Sequence, residues 1–471
     1  MALNDLPLAL QGVIQQGYLE REFGQALRAK LGFRDIADQE PFMAGVGETV
    51  TKTRTGLLAA VTTPMAPANV QDITSGLTPV NYAIEQYVLG IAQYGNPMML
   101  NIATAQVAID DLYLQNAFAL GENAIRSVDM LARNALFDSY SGGNTFITTT
   151  LGAAGTVVQV DDVRGFFQVL NSQGKPMPVS PNNTLSVVIG TDVYVVQSVL
   201  ADGPAPGNTN PWLANLSFSG NGQNTSITPG GYSGTLTLTT NALVADATQG
   251  NPVIAATAPV IMRPDLTAGS MAQTSGQITP TGTANGGKLT MQMILTAKAT
   301  MSDNAVPPVT KTGTYHMYAD ALQLTGLYQD PAFQRFFIGK PDTPEYKKGV
   351  VSEQLGVTII ETNLNPSYRL AGSGILRRAI VCGQGALVEG VFTRAAYGAV
   401  EGVDSPDDMI TVVDGIAHIT REPIDVLKQV VTQSWSYIGG FAAPTDTTTN
   451  PSTVPTATNA AYKRAAIIES L

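Results

Sequence analysis

With 471 residues, 44% of them apolar, the chain has material for several domains and a sizeable core, which excludes global disorder. Only 13% of residues are charged, about half the usual ~25%, and a formal net charge of -11 disfavours a dedicated grip on nucleic-acid phosphates. One cysteine, Cys382, excludes an internal disulfide framework and suits a reducing compartment, while two histidines leave little for metal ligation or acid–base chemistry.

The opening MALNDLPLAL carries Asp5 and no early Lys or Arg, so it does not read as a secretory signal. No stretch reaches the ~18 uninterrupted apolar residues of a membrane span. Over residues 5–31, Leu10, Val13, Ile14, Leu19, Phe23, Leu27 and Leu31 recur at helical spacing and predict an amphipathic N-terminal arm. Gly12, Gly17 and Gly24 weaken that helix, and Gly32 stops it.

Two strand-like runs follow, GETVTKTRTGLLAAVTT and, at 82–95, YAIEQYVLGIAQYG. Between them PMAPANVQDITSGLTPV, at 64–80, holds Pro64, Pro67 and Pro79 and few core formers. The whole reads as a long β-hairpin with an irregular tip. Ordering each tip residue costs about 1–2 kcal/mol, so the tip needs an outside surface. Its candidate anchors are Met65, Val70, Ile73 and Leu77, with Lys52 and Arg54 at the stem as further contacts to that surface. From Thr104 to Phe137 the chain is rich in helix formers and predicts a rod ~50 Å long. Its apolar stripe is Val107, Leu114, Phe118, Ile125, Val128, Leu131, Ala132 and Leu136, and SGGN at 141–144 ends it.

Composition then shifts: no Glu occurs between 123 and 344. TVVQV, LSVVI, VYVVQSVL, GTLTLTT and PVIAATAPVIM alternate with Gly-, Pro- and Asn-rich turns, which predicts a small all-β barrel or sandwich at about 148–262. KLTMQMILTAKATM predicts a helix, TYHMYA a strand, and a short helix follows Asp320. In DPAFQRFF, Asp330 is an N-cap and Pro331 the first helical residue. VTIIE, RRAIVCG, MITVV, IAHIT and VVTQSWSYIGG read as strands, GALVEGVFTRAAYG as a helix, and AAYKRAAIIESL as a final strand after a low-complexity loop.

Motifs for chemistry are weak. GTANGGKL, at 282–289, has the glycines and Lys288 of a phosphate loop, but Leu289 stands where Ser or Thr must bind magnesium, so turn glycines before a helix are the better reading. No G-x-S-x-G, H-E-x-x-H or C-x-x-C occurs. Cys382 reads as a buried structural thiol, and His316 and His418 as core or interface residues within strands. The doublets Lys347-Lys348, Arg377-Arg378 and Lys463-Arg464 read as solvated faces or intersubunit ion pairs, and Met98-Met99 and TMQMILT as gap-filling core.

The order of these parts resembles the major capsid proteins of tailed bacteriophages, which have the Hong Kong 97-type α+β fold. The resemblance rests on the two hairpin runs, the helix at 104–137, YHMYADALQLTGLYQDPAF, and the closing SWSYIGGFAAPTD and AAYKRAAIIES. It implies an N-terminal arm at 1–45, an extended hairpin loop at 46–97, a spine helix at 98–147, an inserted β-domain at 148–262, axial and peripheral segments at 263–430, and C-terminal peripheral strands at 431–471. It further implies a non-enzymatic subunit that assembles with itself into hexamers and pentamers of an icosahedral shell around double-stranded DNA. Scaffolding, portal and decoration proteins are its further expected partners, with DNA a loosely contacted cargo. No cofactor, metal or membrane is expected, and the expected location is the virion, assembled in the host bacterial cytoplasm. Some members cross-link Lys to Asn between subunits; here Lys52, the sole Lys between Lys30 and Lys175, sits in the stem, so no such bond is expected. The alternatives are a β-rich virion surface or tail-associated adhesin, and an encapsulin-like nanocompartment.

Overall fold

The computed structural model describes residues 32–42, 49–55, 84–101, 112–171, 175–203, 224–228, 230–256, 258–309, 313–338, 353–354, 356–370, 374–392, 410–421, 430–444 and 463–471. The expected helix at 5–31, the hairpin tip, Lys347-Lys348 and the low-complexity loop lie outside them. The chain divides into two units, one of Met1–Val50, Leu89–Leu136 and Leu387–Ala442, the other of Thr51–Val88, Phe137–Ala386 and Ala443–Leu471.

In chain order the first strands are β1 (Ala37–Phe42), β2 (Thr49–Thr55), β3 (Ile84–Gly90) and β4 (Ala92–Asn101), followed by helix α1 (Leu112–Ser141). β2 and β3 form a two-stranded sheet of their own, as the alternating runs predict. At 30 residues, α1 is ~45 Å long.

The next stretch supplies β5 (Asn144–Phe146), β6 (Gly155–Val160), β7 (Gln168–Leu170), β8 (Pro176–Pro178), β9 (Leu185–Ile189), β10 (Asp192–Ala201), β11 (Gly234–Ala242) and β12 (Pro252–Ala255). Six of these order as β5-β12-β9-β10-β11-β6, and β7 pairs with β8. The six close on themselves. Ile147 bridges Val160, the Asp161 amide donates to the Phe146 carbonyl at 3.1 Å, and the Thr148 amide donates to Gln159 at 3.1 Å. The insertion is therefore a barrel, not a sandwich, and closure leaves no open edge. Inward side chains alternate along the strands, so Val158, Val187, Ile189, Val196, Leu236 and Leu238 are fully buried. Asn144 pairs with Ile254, so the chain enters and leaves the barrel side by side.

The remainder holds β13 (Ile261–Met262), α2 (Met291–Asp303), β14 (Tyr315–Ala319), α3 (Ala321–Tyr328), α4 (Pro331–Ile338), β15 (Glu353–Gln354), β16 (Val357–Glu361), β17 (Ser367–Leu370), β18 (Gly374–Cys382), β19 (Leu387–Phe392), β20 (Ile410–Val413), β21 (Ile416–Arg421), β22 (Val430–Ala442) and β23 (Ala465–Ser470). PVIAATAPVIM thus breaks into β12 and β13, which belong to different sheets. Leu387–Phe392, expected as helix, is a strand. It pairs in parallel with β1 and antiparallel with β22, and Gly390 is a poor helix residue, so sheet context overrides the helical spacing.

In the first unit the sheet runs β1-β19-β22-β21-β20, with β4 also on β22. Leu120, Ala124 and Val128 of α1 pack against Ile416, Trp435 and Tyr437. Phe118, expected in the apolar stripe, is instead 40% exposed; the small residues Ala117 and Ala124 flank the buried Leu120 and set the phase of the packed face. Met99, expected in the core, is 76% exposed on the edge strand, while Met98 packs inward. In the second unit the sheet runs β13-β23-β18-β14-β16-β15, with β17 on β18. Met293, Ala297 and Met301 of α2, Leu324 and Leu327 of α3 and Phe333 of α4 join its core. Asp330 caps two helices: Oδ1 accepts from the Ala332 amide of α4 at 3.0 Å and Oδ2 from the Met291 amide of α2 at 2.8 Å.

β22 crosses its neighbours at a glycine. A Cβ on Gly440 would stand 1.9 Å from the Gly90 carbonyl oxygen, whereas one on Gly152 meets nothing within 4 Å. Gly440→Ala is expected to lower stability by at least ~1–3 kcal/mol, with Gly152→Ala within about 0.5 kcal/mol of the parent, in chemical denaturation of the two variants.

Candidate functional site

Among the described residues no group of three or more His, Cys, Asp or Glu is placed to hold a metal, and no helix is long and apolar enough to cross a membrane. Chemistry concentrates instead in buried guanidinium–carboxylate clusters.

The first cluster ties the N-terminal segment to the first unit's sheet. Arg34 Nε donates to both oxygens of Glu389, at 2.9 and 3.0 Å, and Glu389 is fully buried. Its Nη2 also donates to the Asp414 carbonyl at 2.8 Å. The Tyr437 hydroxyl donates to Glu389 Oε1 at 2.7 Å, and the guanidinium lies 5.7 Å from the centre of the Tyr437 ring. Burial, then the Glu389 charge, push the Tyr437 phenol up, so it stays a donor. The Asp414-Gly415 turn between β20 and β21, with φ of 51° and 79°, presents that carbonyl. The Arg34 amide donates to Asp129 Oδ1 of α1 at 3.1 Å, while burial pushes the Asp129 carboxyl up.

The second cluster is centred on Glu469 of β23. Arg263 Nε donates to Oε2 at 2.7 Å, Arg378 Nε to Oε1 at 2.9 Å, the Ser275 hydroxyl to Oε2 at 2.9 Å and the Tyr368 hydroxyl to Oε1 at 3.2 Å. Burial alone would raise the Glu469 carboxyl, but Arg263 and Arg378 outweigh it and hold it down at about 2. Arg263 also reaches Asn144 of β5 at 3.1 Å, which ties the barrel's entry to the last strand. Arg378, expected on a solvated face or in an intersubunit pair, is instead core; Arg377 pairs with Asp320 at 2.6 Å. Lys463 and Arg464 likewise donate to carbonyls of their own chain, those of Ala258 and Gln384.

The third cluster holds the barrel to the end of α1. Arg164, 1% exposed, donates through Nε and Nη2 to Asp162 at 3.0 and 2.9 Å and through Nη1 to Asp138. Burial lowers the guanidinium's proton affinity, but the two carboxylates more than restore it. Nearby, Asp161 accepts from the Ile227 amide at 2.9 Å and the Thr228 hydroxyl at 2.7 Å, which pins the loop over the barrel.

Of the sequence-derived contact residues, Lys52 and Arg54 are half-buried on β2, alternating with exposed Thr51 and Thr53. Both interact within their own chain, and the Arg54 charge acts on the fully buried Tyr140 phenol. Met65, Val70, Ile73 and Leu77 lie outside the described residues. The structure therefore brings the two stem residues to one strand face and leaves the tip anchors undescribed. Cys382 is fully buried, as expected, and burial pushes its thiol up. In GTANGGKL, Asn285, Gly286 and Gly287 take positive φ, and the Leu471 amide donates to the Gly287 carbonyl at 2.8 Å, so this is a turn before α2. Sequence reading missed Arg34, Arg164, Arg263, Glu389 and Glu469. For Glu389 and Glu469 the signal was isolation, single charges inside otherwise apolar strands that need a buried partner, whereas Arg34 and Arg164 stand beside aspartates and gave no such signal.

No protein-family model and no curated protein matches the sequence. Among solved structures, the chain is similar to the capsid of Ralstonia phage GP4 at 11% identity and a TM-score of 0.45, covering 92% of this chain and 87% of that one. It is similar to the capsid of cyanophage P-SCSP1u at 10% identity and a TM-score of 0.44, covering 93% and 88%. For the capsid of cyanophage Pam1 the identity is 12% and the TM-score 0.42, covering 91% and 86%.

Two tests address the buried charges. Glu469→Ala strands two guanidiniums and is expected to cost about 3–5 kcal/mol in urea denaturation, against less than about 1 kcal/mol for Lys52→Ala. His418 is 4% exposed, and burial holds its imidazole down at about 4, against an ordinary 6.5. Its contribution is complete above pH 6.5 and is lost as pH falls toward 4, because the unfolded chain binds the proton first. His418→Gln is accordingly expected to lose less stability than the parent between those two values, read from denaturation midpoints.

Proposed function

We propose that this chain is the major capsid protein of a tailed bacteriophage, a structural subunit that assembles with itself into an icosahedral shell around double-stranded DNA. The observation that carries the reading is the order of elements: a separate two-stranded hairpin, a 30-residue helix, a closed barrel inserted in the chain, and sheets completed by strands distant in sequence. That order matches the parts of the family the sequence resembles, with β2 and β3 as the extended-loop stem, α1 as the spine and β5–β12 as the inserted domain.

Charge supports the same reading. The 13% of charged residues is depleted further at the surface, because Arg34, Arg164, Arg263, Arg378, Glu389 and Glu469 are all buried with partners. Surfaces left neutral in this way can be covered by copies of the chain with little desolvation cost. The net charge of -11 would keep packaged DNA from adhering to the shell wall, so DNA is a loosely held cargo. Hexamers and pentamers, the scaffolding, portal and decoration partners, and assembly in the host cytoplasm belong to this proposal. So do the absence of catalysis and of a Lys–Asn cross-link.

Electron microscopy of the purified, concentrated chain tests it. Closed shells or ring-shaped capsomers are expected; fibres, or monomers alone with the virion partners present, would overturn it. Mature particles boiled in detergent are expected to run as a single band near the 49.4 kDa chain mass rather than as a ladder.

A further inference from the structure

The inserted barrel is polar on its wall and apolar at one end. Its connections at 147–154, 190–191 and 243–251 lie at the end opposite the one where the chain enters at Asn144 and leaves at Ala255. Thr239, Thr240 and Gln159 are exposed on the wall. At the far end the exposed side chains include Ala153, Ala154, Val193, Leu243, Val244 and Ala245, with Val193 71%, Leu243 54% and Val244 40% exposed. The sole exposed charge in these connections and at the start of β10 is Asp192, since Asp246 is buried. Single exposed aliphatics are ordinary, but a group of them confined to one end of an otherwise polar barrel marks a surface that something covers.

Hydrogen bonds hold this end rigid. Asp246 Oδ1 accepts from the Thr191 amide at 3.3 Å and from its hydroxyl at 3.2 Å, and Oδ2 accepts from the Tyr194 hydroxyl at 2.7 Å. The Tyr194 oxygen accepts in turn from the Leu243 amide at 3.2 Å, which draws Leu243 and the β9–β10 turn together. The Leu151 amide donates to the Ala247 carbonyl at 3.0 Å and the Gln249 amide to Thr150 Oγ1 at 2.8 Å, so all three connections are joined. A surface fixed in this way loses little conformational freedom when it is covered.

Charge selects the occupant. The three connections hold no Lys or Arg, so a nucleic acid or an anionic membrane finds nothing to grip, and Asp192 alone offers little to a basic partner. Copies of this chain carry a net charge of -11 and approach each other with least repulsion where both are neutral. We propose that the far end of the barrel is a self-contact surface, where two copies meet end to end about a two-fold axis and bury Val193, Leu243 and Val244 of each. An isologous contact needs only one self-complementary patch, and an apolar end of low charge is one. The contact is weak. Three side chains that together expose less than two whole aliphatic residues fall far short of the ~800 Å² per partner that holds a free dimer together. It therefore acts where many copies stand side by side and the contact is repeated. The proposed shell would supply that repetition, but the contact itself does not require a shell.

The test uses the full, concentrated chain, with the same samples viewed by electron microscopy. Cys382 is fully buried, so Val193→Cys supplies the sole reactive thiol. A short bis-maleimide is expected to link two such chains at least about fivefold more efficiently than two chains carrying Leu322→Cys, at a site 59% exposed on α3. Adding Leu243→Ser and Val244→Ser to Val193→Cys is expected to bring the yield down to that of Leu322→Cys. Equal yields at the two sites, no linkage at all, or a selective linkage that survives the two serines would each overturn the inference. Shells without selective linkage would leave the capsid reading standing and remove the self-contact. Selective linkage without shells would do the reverse.

Discussion

The fold depends on pairing buried guanidiniums with buried carboxylates, which in the two sheets are brought from far along the chain. Arg34 meets Glu389 across 355 positions, and Arg263 meets Glu469 across 206. Pairs of this kind add little net stability over well-packed apolar groups, but a single missing partner is expensive, so they reject wrong strand registers. That matters here because both large sheets are assembled from segments that are remote in sequence. β1, β4 and β19–β22 make one, while β13–β18 and β23 make the other. A one-residue slip of β23 would turn Glu469 away from its two guanidiniums and leave three buried charges unmatched.

The same pairing shapes the outside. A chain with few charges that buries several of them presents Thr, Ser, Gln and Asn to its surroundings. On the barrel, Thr239 and Thr240 of β11 are exposed, as is Gln159 of β6, while Arg164 and Asp162 stay inside. Neutral hydrogen-bonding surfaces attach through shape and apolar contact rather than through long-range attraction, as the proposed shell role would require. Under that proposal a net charge of -11 makes copies repel one another at long range, so they would meet through these short-range contacts.

Much of the fold was legible because local signals and tertiary structure agreed. The alternation around Thr49–Thr55 and Ile84–Gly90, the helix formers after Leu112, and Asp330-Pro331 each specify their element without distant help. Leu387–Phe392 was not legible as strand, since its spacing suits a helix and its two sheet neighbours lie hundreds of residues and tens of residues away. Barrel closure was equally hidden, for it rests on Ile147 meeting Val160 and not on any residue type. The phase of α1 was misjudged at Phe118 because small residues, which carry almost no hydrophobic signal, mark its packed face. The clusters at Glu389 and Glu469 could have been suspected from their isolation among apolar neighbours, but their partners could not be named from spacing.

If the chain assembles as proposed, its buried ionic groups are satisfied inside the subunit and copies associate through neutral surfaces. Light scattering of assembly across ionic strength tests it most directly, since raising salt from about 0.01 M to 1 M shortens the screening length from roughly 30 Å to 3 Å. The account predicts that the concentration needed for assembly stays level or falls as salt screens the repulsion between acidic copies. A threshold that rises steeply with salt would show that the copies are held by ion pairs across their interfaces, and would contradict it.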